Sequence, residues 1–356
     1  MAAPSDPEVS VVLSTYNRAA LLPAALGALL DQTGGVAYEI IVVDNNSTDA
    51  TRPTVEALAA TAGGRLRYAF EPRQGLSYGR NTGIGLARAP IVAFTDDDVR
   101  VAPDWVASIR EVFAHEPGID YVGGRVLPRW AQPPPRWLTD AHWAPLALQD
   151  YGPDPFVTGR QRAICLVGAS LAFRRRVFDR VGLFHPALQR VKDGIGSTED
   201  HEFQLRVWRA GMRGLYAPEV VAVADIPPER MTRAYHRRWH RGHGRHCALM
   251  RLRELVPADL GPMTEPDDLV RLFGVPAFVY AELPRNAARW LEAVLRRRDP
   301  FFYANKLRHY WHYILTGARL HAAGARRRPA AEIGAFAVAY WRKRRARRRR
   351  AVSSAG

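Results

Sequence analysis

Short Val- and Ile-rich runs separated by helical periodicity occupy the first 126 residues, and this alternation limits the folds open to the chain. Val9–Ser14 (VSVVLS), Glu39–Asp44 (EIIVVD), Leu66–Phe70, Pro90–Thr95 (PIVAFT) and Tyr121–Val126 read as strands. Runs that are apolar without alternation suit strands covered on both faces. Between them Ala19–Leu30, Ala50–Thr61, Ser77–Ala87 and Pro103–His115 read as helices. Thr48 or Asp49 is placed to cap the second, and the last has Pro at its start and Gly118 beyond its end. Strands alternating with helices predict an α/β fold built on a largely parallel sheet.

The pattern then changes. Pro128–Leu138 (PRWAQPPPRWL) reads as a Pro-rich loop. Ile164–Phe173 reads as a strand, Ser197–Ala210 as an amphipathic helix closed by Gly211, and Ala217–Ala224 as a strand. From Pro228 the chain is basic and helical. These shifts divide it into 1–127, 128–228, a helical extension 229–340 and a polybasic tail 341–356.

Eight of the positive charges behind the net +16 lie in one run, Arg342 to Arg350, broken only by Ala346. Three readings are open: a solvated disordered tail, contact with anionic lipid, or nucleic-acid binding. Cys165 and Cys247 are too few for a disulfide framework and lack zinc spacing, which points to a reduced, cytoplasmic setting. Met1–Glu8 has no apolar core of a secretory signal. The most apolar stretches late in the chain, Phe273–Tyr280 and Ile333–Trp341, fall short of the ~18 residues of a spanning helix. The expectation is a protein that is soluble or peripheral on the inner face of the cell membrane.

In an open parallel sheet, ligands bind beyond the carboxyl ends of the strands. Thr15-Tyr16-Asn17-Arg18, Asp44 to Asp49, Glu71 to Gly75 and Asp96-Asp97-Asp98 follow the first four strands. Polar residues therefore gather at one edge. Three consecutive acids repel one another unless a cation lies among them, and hard oxygen ligands suit Mg2+ or Mn2+. The plainer alternative is an acidic turn ahead of the helix from Pro103.

VSVVLSTYNR (9–18), VVDNNSTD (42–49), GLSYGRNTGI (75–84), AFTDDDVRVAPDW (93–105), GASLAFRR (168–175) and STEDHEFQLRVWRAG (197–211) together resemble the inverting family 2 glycosyltransferases. That resemblance covers about Val9 to Arg245 and implies a GT-A fold with a mixed sheet. It implies that Thr15, Tyr16 and Arg18 line the nucleotide pocket. Asp44 would accept from the imino group of a uracil or thymine, as in a UDP- or dTDP-linked donor, with Asn46 nearby. Arg80 would face the diphosphate, and Asn81 would hold that loop. Within the triplet Asp96, Asp97 and Asp98, the first and last acids match the family's DxD and imply Mn2+ or Mg2+. Asp200, in the first turn of its helix, would take the acceptor's proton, with Glu199 as the supporting member of an ED pair. Gly168-Ala169-Ser170 would contact the transferred sugar and acceptor.

Two departures are visible. Many members carry a metal-binding His after the last strand; here the position is Asp225. Processive members carry QxxRW; here Tyr235-His236-Arg237-Arg238-Trp239 lacks the Gln, which points to single additions, with Arg238 offsetting leaving-group charge. His236, His240 and His243 fall at i, i+4 and i+7, but no Cys or acid completes a zinc site at good spacing. Trp130, Trp137 and Trp143 read either as packing under the Pro-rich loop or as an acceptor platform for a sugar or lipid-linked acceptor. Two other functions compete with this reading. A sugar nucleotidylyltransferase would need a Gly-rich loop after the first strand, and Ser14–Arg18 contains no glycine. A non-catalytic basic binding module rests on the tail and overall charge alone.

Overall fold

The computed structural model describes residues 6–188, 198–256, 261–264 and 269–324, together with Ala339. The chain divides into two compact units, Met1–His236 and Arg237–Gly356. The expected division at 127 falls inside a strand of the first unit, and that at 228 lies just ahead of the observed boundary. The run Arg342–Arg350, the stretch Ile333–Trp341 apart from Ala339, and Ser197 lie outside the described residues.

The described residues of the first unit form a nine-stranded mixed sheet. Its strands are β1 (Val9–Thr15), β2 (Tyr38–Asp44), β3 (Leu66–Phe70), β4 (Ile91–Asp96), β5 (Val99–Val101), β6 (Tyr121–Trp130), β7 (Phe156–Thr158), β8 (Ser170–Arg174) and β9 (Gly214–Ile226). They run in the order β3-β2-β1-β4-β8-β6-β9-β5, with β7 also paired to β9. β1 pairs in parallel with both β2 and β4. The chain thus leaves β1 in opposite lateral directions, and such a reversal opens a crevice at the strand ends. Register levels the polar residues there: Thr15 sits opposite Asp44, and Ser14 opposite Asp96. β8 is antiparallel to β4, so its first residue, Ser170, lies beside Thr95.

Among the described residues, six α-helices lie wholly within this unit: α1 (Leu22–Leu30), α2 (Thr51–Thr61), α3 (Leu76–Leu86), α4 (Trp105–His115), α5 (Arg176–Val181) and α6 (Glu199–Arg209). α3 lies unusually close to β1, because a Cβ on Gly83 would come within 2.2 Å of Val12 and one on Gly79 within 2.8 Å of Ser14. This approach sets Arg80 at the sheet's carboxyl edge. α6 buries Phe203, Val207 and Trp208 against the core, as its periodicity requires.

Two expectations need correction. The Pro-rich segment is strand as far as Trp130, and Pro128 pairs with Ala224 of β9. β6 meets β8 only over Tyr121–Gly123, so at Pro128 only the β9 side is paired and the missing N–H is tolerated. The second correction concerns Ile164–Phe173, of which only Ser170 onward is strand. Around Leu166 the backbone is satisfied by a side chain: Gln204 accepts from the Leu166 N–H at 2.9 Å and donates to its carbonyl at 2.7 Å. Thr198 makes no side-chain capping bond to α6.

α7 (Arg233–Leu249) begins in the first unit and continues into the second. The second unit adds α8 (Leu252–Leu255), a small antiparallel pair β10 (Arg271–Leu272) and β11 (Val275–Pro276), and the packed helices α9 (Ala277–Leu295) and α10 (Phe301–Gly324). Among the described residues no helix is long and apolar enough to cross a membrane.

Candidate active site

The loops after β1 and β2 are stapled to each other. Asn17, in left-handed backbone at φ 52°, accepts from the Thr48 N–H at 2.7 Å and donates its own N–H to Ser47 Oγ at 2.9 Å. Asp49 accepts from the Ala19 N–H and from the Thr51 N–H, but the cap position of α2 is Ala50, so neither Thr48 nor Asp49 is the cap. Asp44 is buried; one oxygen accepts from the Ser47 N–H and the other from the Tyr68 hydroxyl, each at 2.9 Å. Burial, with Asp44 adding, pushes the Tyr68 phenol up to about 12. Tyr16 is half-buried on the same loop system.

Asn46 is exposed, at φ 68°. Its buried neighbour Asn45, which the sequence did not single out, organises the third loop. It donates to the Arg73 carbonyl at 2.7 Å and accepts from the Gly75 N–H at 2.6 Å. In that loop the Arg73 side chain holds the Glu71 carboxyl down to about 2, against burial and with help from Thr82.

The acidic triplet is divided among partners. Asp97 is buried, accepting from Thr15 Oγ1 at 2.8 Å and from Arg18 at 2.7 Å. Burial pushes its carboxyl well above the ordinary carboxylate range, Arg18 opposes, and neighbouring Asp98 adds to the rise. Asp98 meets Arg18 at 3.1 Å and Arg230 at 3.0 Å. Arg230, in the turn after β9, is a site residue that local sequence did not reveal; only strand pairing brings it to the triplet. The Asp225 N–H donates to the Asp98 carbonyl at 2.8 Å. The Asp225 carboxylate, however, is gripped by Arg129 at 2.5 and 2.7 Å and reached by Arg100 at 3.3 Å. Acting as a metal ligand would require it to give up one of these cations.

Arg80 joins the two acidic segments. Its guanidinium lies 2.6 Å from Asp200, 3.6 Å from Glu199 and 3.7 Å from Asp96. The Arg80 side chain is 4% exposed and lies over the rings of Phe94 and Phe184. The second Asp200 oxygen accepts from the Gly168 N–H at 3.1 Å. Gly168 has a steric reason to be glycine, since a Cβ there would stand 2.4 Å from that oxygen and 2.7 Å from Arg80. Ala169 is buried, and Ser170 accepts from the Trp105 indole N–H at 2.9 Å. Gln204, one turn beyond Asp200, fixes the approach of this loop through Leu166. Asn81 pins the backbone of Phe184 with two hydrogen bonds, bracing the segment that covers Arg80.

A cavity of about 640 Å3 opens beside Asp98 and Asp225, walled by Arg18, Arg129, Trp130 and Arg230. Trp137 and Trp143 pack against the core, and Trp137 meets His142 and His236 edge-on. Arg238, His240 and His243 belong to the second unit. There His243 stacks on Trp239 at 4.2 Å.

The donor chemistry suits a hard divalent ion. Asp96, Glu199 and Asp200 surround one guanidinium, so the charge around Arg80 is negative on balance. Among the described residues, no three His, Cys, Asp or Glu side chains form a preassembled metal cluster. Protein carboxylates supplying only part of a coordination shell are usual for Mg2+ sites completed by water and phosphate.

Residues 10–182 match the sequence model of the family described as Glycosyl transferase family 2. Over 106 residues, 29% of this chain and 25% of the relative, the chain is 42% identical to validoxylamine A glucosyltransferase of Streptomyces hygroscopicus subsp. jinggangensis. Over 125 residues, 35% of this chain and 48% of the relative, it is 35% identical to a PGL/p-HBAD biosynthesis glycosyltransferase of Mycobacterium tuberculosis. The aligned segments thus span between a quarter and about half of these relatives' length. Among solved structures, a mannosyltransferase from Pyrobaculum calidifontis in complex with GDP-Man and Mn2+ superposes with a TM-score of 0.57 at 22% identity, covering 88% of each chain. That likeness establishes the GT-A architecture.

Proposed function

We propose that this chain, whose residues 10–182 form a glycosyl transferase family 2 domain, moves a sugar from a nucleoside-diphosphate donor to an acceptor hydroxyl with inversion at the anomeric carbon. One observation carries the reading: Asp200, held by Arg80 and the Gly168 N–H, is tied through the same guanidinium to the end of the acidic strand loop. The carboxylate suited to take a proton and the carboxylates suited to hold a cation are thereby neighbours.

Thr15, Tyr16, Asp44 and Asn46 line the nucleotide end in this reading. A carboxylate offers about four lone-pair sites, so Asp44 retains capacity for the ring N–H of uracil or thymine beside its bonds to Ser47 and Tyr68. Asp96 and Asp98 would hold Mn2+ or Mg2+, Asp98 by exchanging Arg18 or Arg230 for the ion, which when bound supplies positive charge against the departing diphosphate. Arg80, Arg18 and Arg230 surround the same region with fixed cations. In the transfer, the acceptor oxygen forms its bond to the anomeric carbon as the carbon–oxygen bond to the diphosphate breaks. The bonding pair leaves with the nucleoside diphosphate, and the acceptor's proton passes to Asp200. Glu199 shares Arg80 with Asp200 and positions it. Gly168 and Ala169 border the sugar. Asp225 serves as a further ligand only if Arg129 withdraws. The acceptor is a sugar or a lipid-linked sugar of a bacterial-type glycan or glycolipid. The run Arg342–Arg350 would hold the enzyme at an anionic membrane on its cytoplasmic side.

The test is Asp200→Asn, assayed for transfer and titrated calorimetrically with a nucleoside diphosphate and Mn2+. Loss of transfer with donor binding kept supports the base role, and near-normal turnover overturns it. In parallel, Asp98→Ala is expected to lose both.

A further inference from the structure

The second unit leaves one face of α9 uncovered. Its buried residues, Val279, Asn286 and Ala293, recur every seven positions and so lie along one line of the helix. Leu291 and Leu295 project from the opposite side, 50% and 74% exposed. Val294 (42% exposed) and Trp290 (38%) widen this apolar arc, and exposed Ala287 and Ala288 extend it by a turn. Arg285, Arg289 and Arg296 line the flank at helical spacing, followed at once by Arg297 and Arg298. Glu292 on that flank is paired with Arg296.

A contiguous apolar patch on a water-facing helix marks an interaction site. Its charge selects the partner. A second copy packed antiparallel about a two-fold axis would oppose the arginine flanks to each other, whereas an anionic lipid surface complements them in any orientation. A bulky apolar arc with Trp, bordered by Arg, is also the make-up of helices that lie in the plane of a membrane interface.

We propose that the C-terminal half of α9 lies in the interface of an anionic bilayer. Trp290, Leu291, Val294 and Leu295 face the acyl boundary, and the Arg285–Arg289–Arg296 flank sits at headgroup level. This contact is separate from the polybasic run: it inserts apolar surface, so part of it survives salt that screens a purely electrostatic tail. It also stands apart from transfer, because a chain inactive as an enzyme still binds vesicles this way.

The experiment is co-sedimentation of the full chain with vesicles of phosphatidylglycerol and phosphatidylcholine, and with phosphatidylcholine alone. Compared with it are the double variant Leu291→Glu/Leu295→Glu and a chain ending at residue 341. Expected are preference for the anionic vesicles, a loss of about tenfold or more in partitioning for the double variant, and retained α9-dependent binding in the shortened chain. A polarity-sensitive dye on Leu295→Cys should shift to the blue with anionic vesicles, which keeps the test open if the double variant folds poorly. Unchanged partitioning of a folded double variant, or an unshifted dye, overturns the proposal. So does a double variant whose only change is loss of self-association without lipid, which would assign the face to a second copy.

Discussion

Arg80 Nη1 lies 2.6 Å from Oδ1 of Asp200, a pairing across 120 positions of sequence. It connects the helix bearing the proposed base to the edge of the sheet, and most of the site's testable behaviour passes through it.

Arg80 is buried among Asp96, Glu199 and Asp200. Its removal leaves those carboxylates without their shared cation, and breaking a buried pair from one side is strongly destabilising. Arg80→Ala should lower the unfolding free energy by about 3 kcal/mol, measured by urea denaturation, and should abolish transfer.

Gly168→Ala tests the fit directly. The new methyl would stand 2.4 Å from Asp200 and 2.7 Å from Arg80, so the pair must separate. Small displacements of a reacting group cost about a hundredfold in rate. The transfer rate should fall by about that factor, while circular dichroism shows a folded protein.

Gln204 holds both polar backbone groups of Leu166. Gln204→Met keeps the volume but leaves those buried groups unmatched, at a cost of about 1–3 kcal/mol. Because the loop that follows delivers the Gly168 N–H to Asp200, kcat should drop more than KM rises. A variant with normal kcat would show that the loop holds its course unaided.

Acidification should act through His236. Burial foremost, with His142 adding and the Arg230 carbonyl opposing, holds its ring down at about 4. In the unfolded chain the ring titrates near its ordinary value, about 6.5. The unfolded state therefore binds the extra proton first, and stability falls as pH drops from about 6.5 towards 4. Thermal unfolding across that window should show a shallower pH slope in His236→Phe than in the parent protein.

Strand and helix boundaries in the first half were legible because each run carries its own burial pattern. Val9–Ser14 and Leu66–Phe70 needed no partner to be read as strands. The gathering of Thr15, Asp44 and Asp96 at one edge followed from strand direction alone. Where environment decides, local pattern misleads. Pro128 is strand because only one neighbour asks for its backbone there, and Ile164–Ala169 is not strand: side chains of Thr158, Gln204, Gln149 and Asp200 bond the backbone of Ile164, Leu166, Val167 and Gly168 in turn. Asn45 and Arg230 gave no local sign, since each acts through a loop distant in sequence.

By itself, the order of apolar and polar residues determined which elements form and which edge of the sheet carries chemistry, because hydrophobic period and strand polarity are local properties. The tertiary structure alone decided which charges meet. Asp225 opposite Arg129 and Arg100, Asp98 between Arg18 and Arg230, and Asp200 against Arg80 are choices among many possible ion pairs. Charge attraction is long-ranged and non-directional, so close packing of glycine, strand and helix must select the partner.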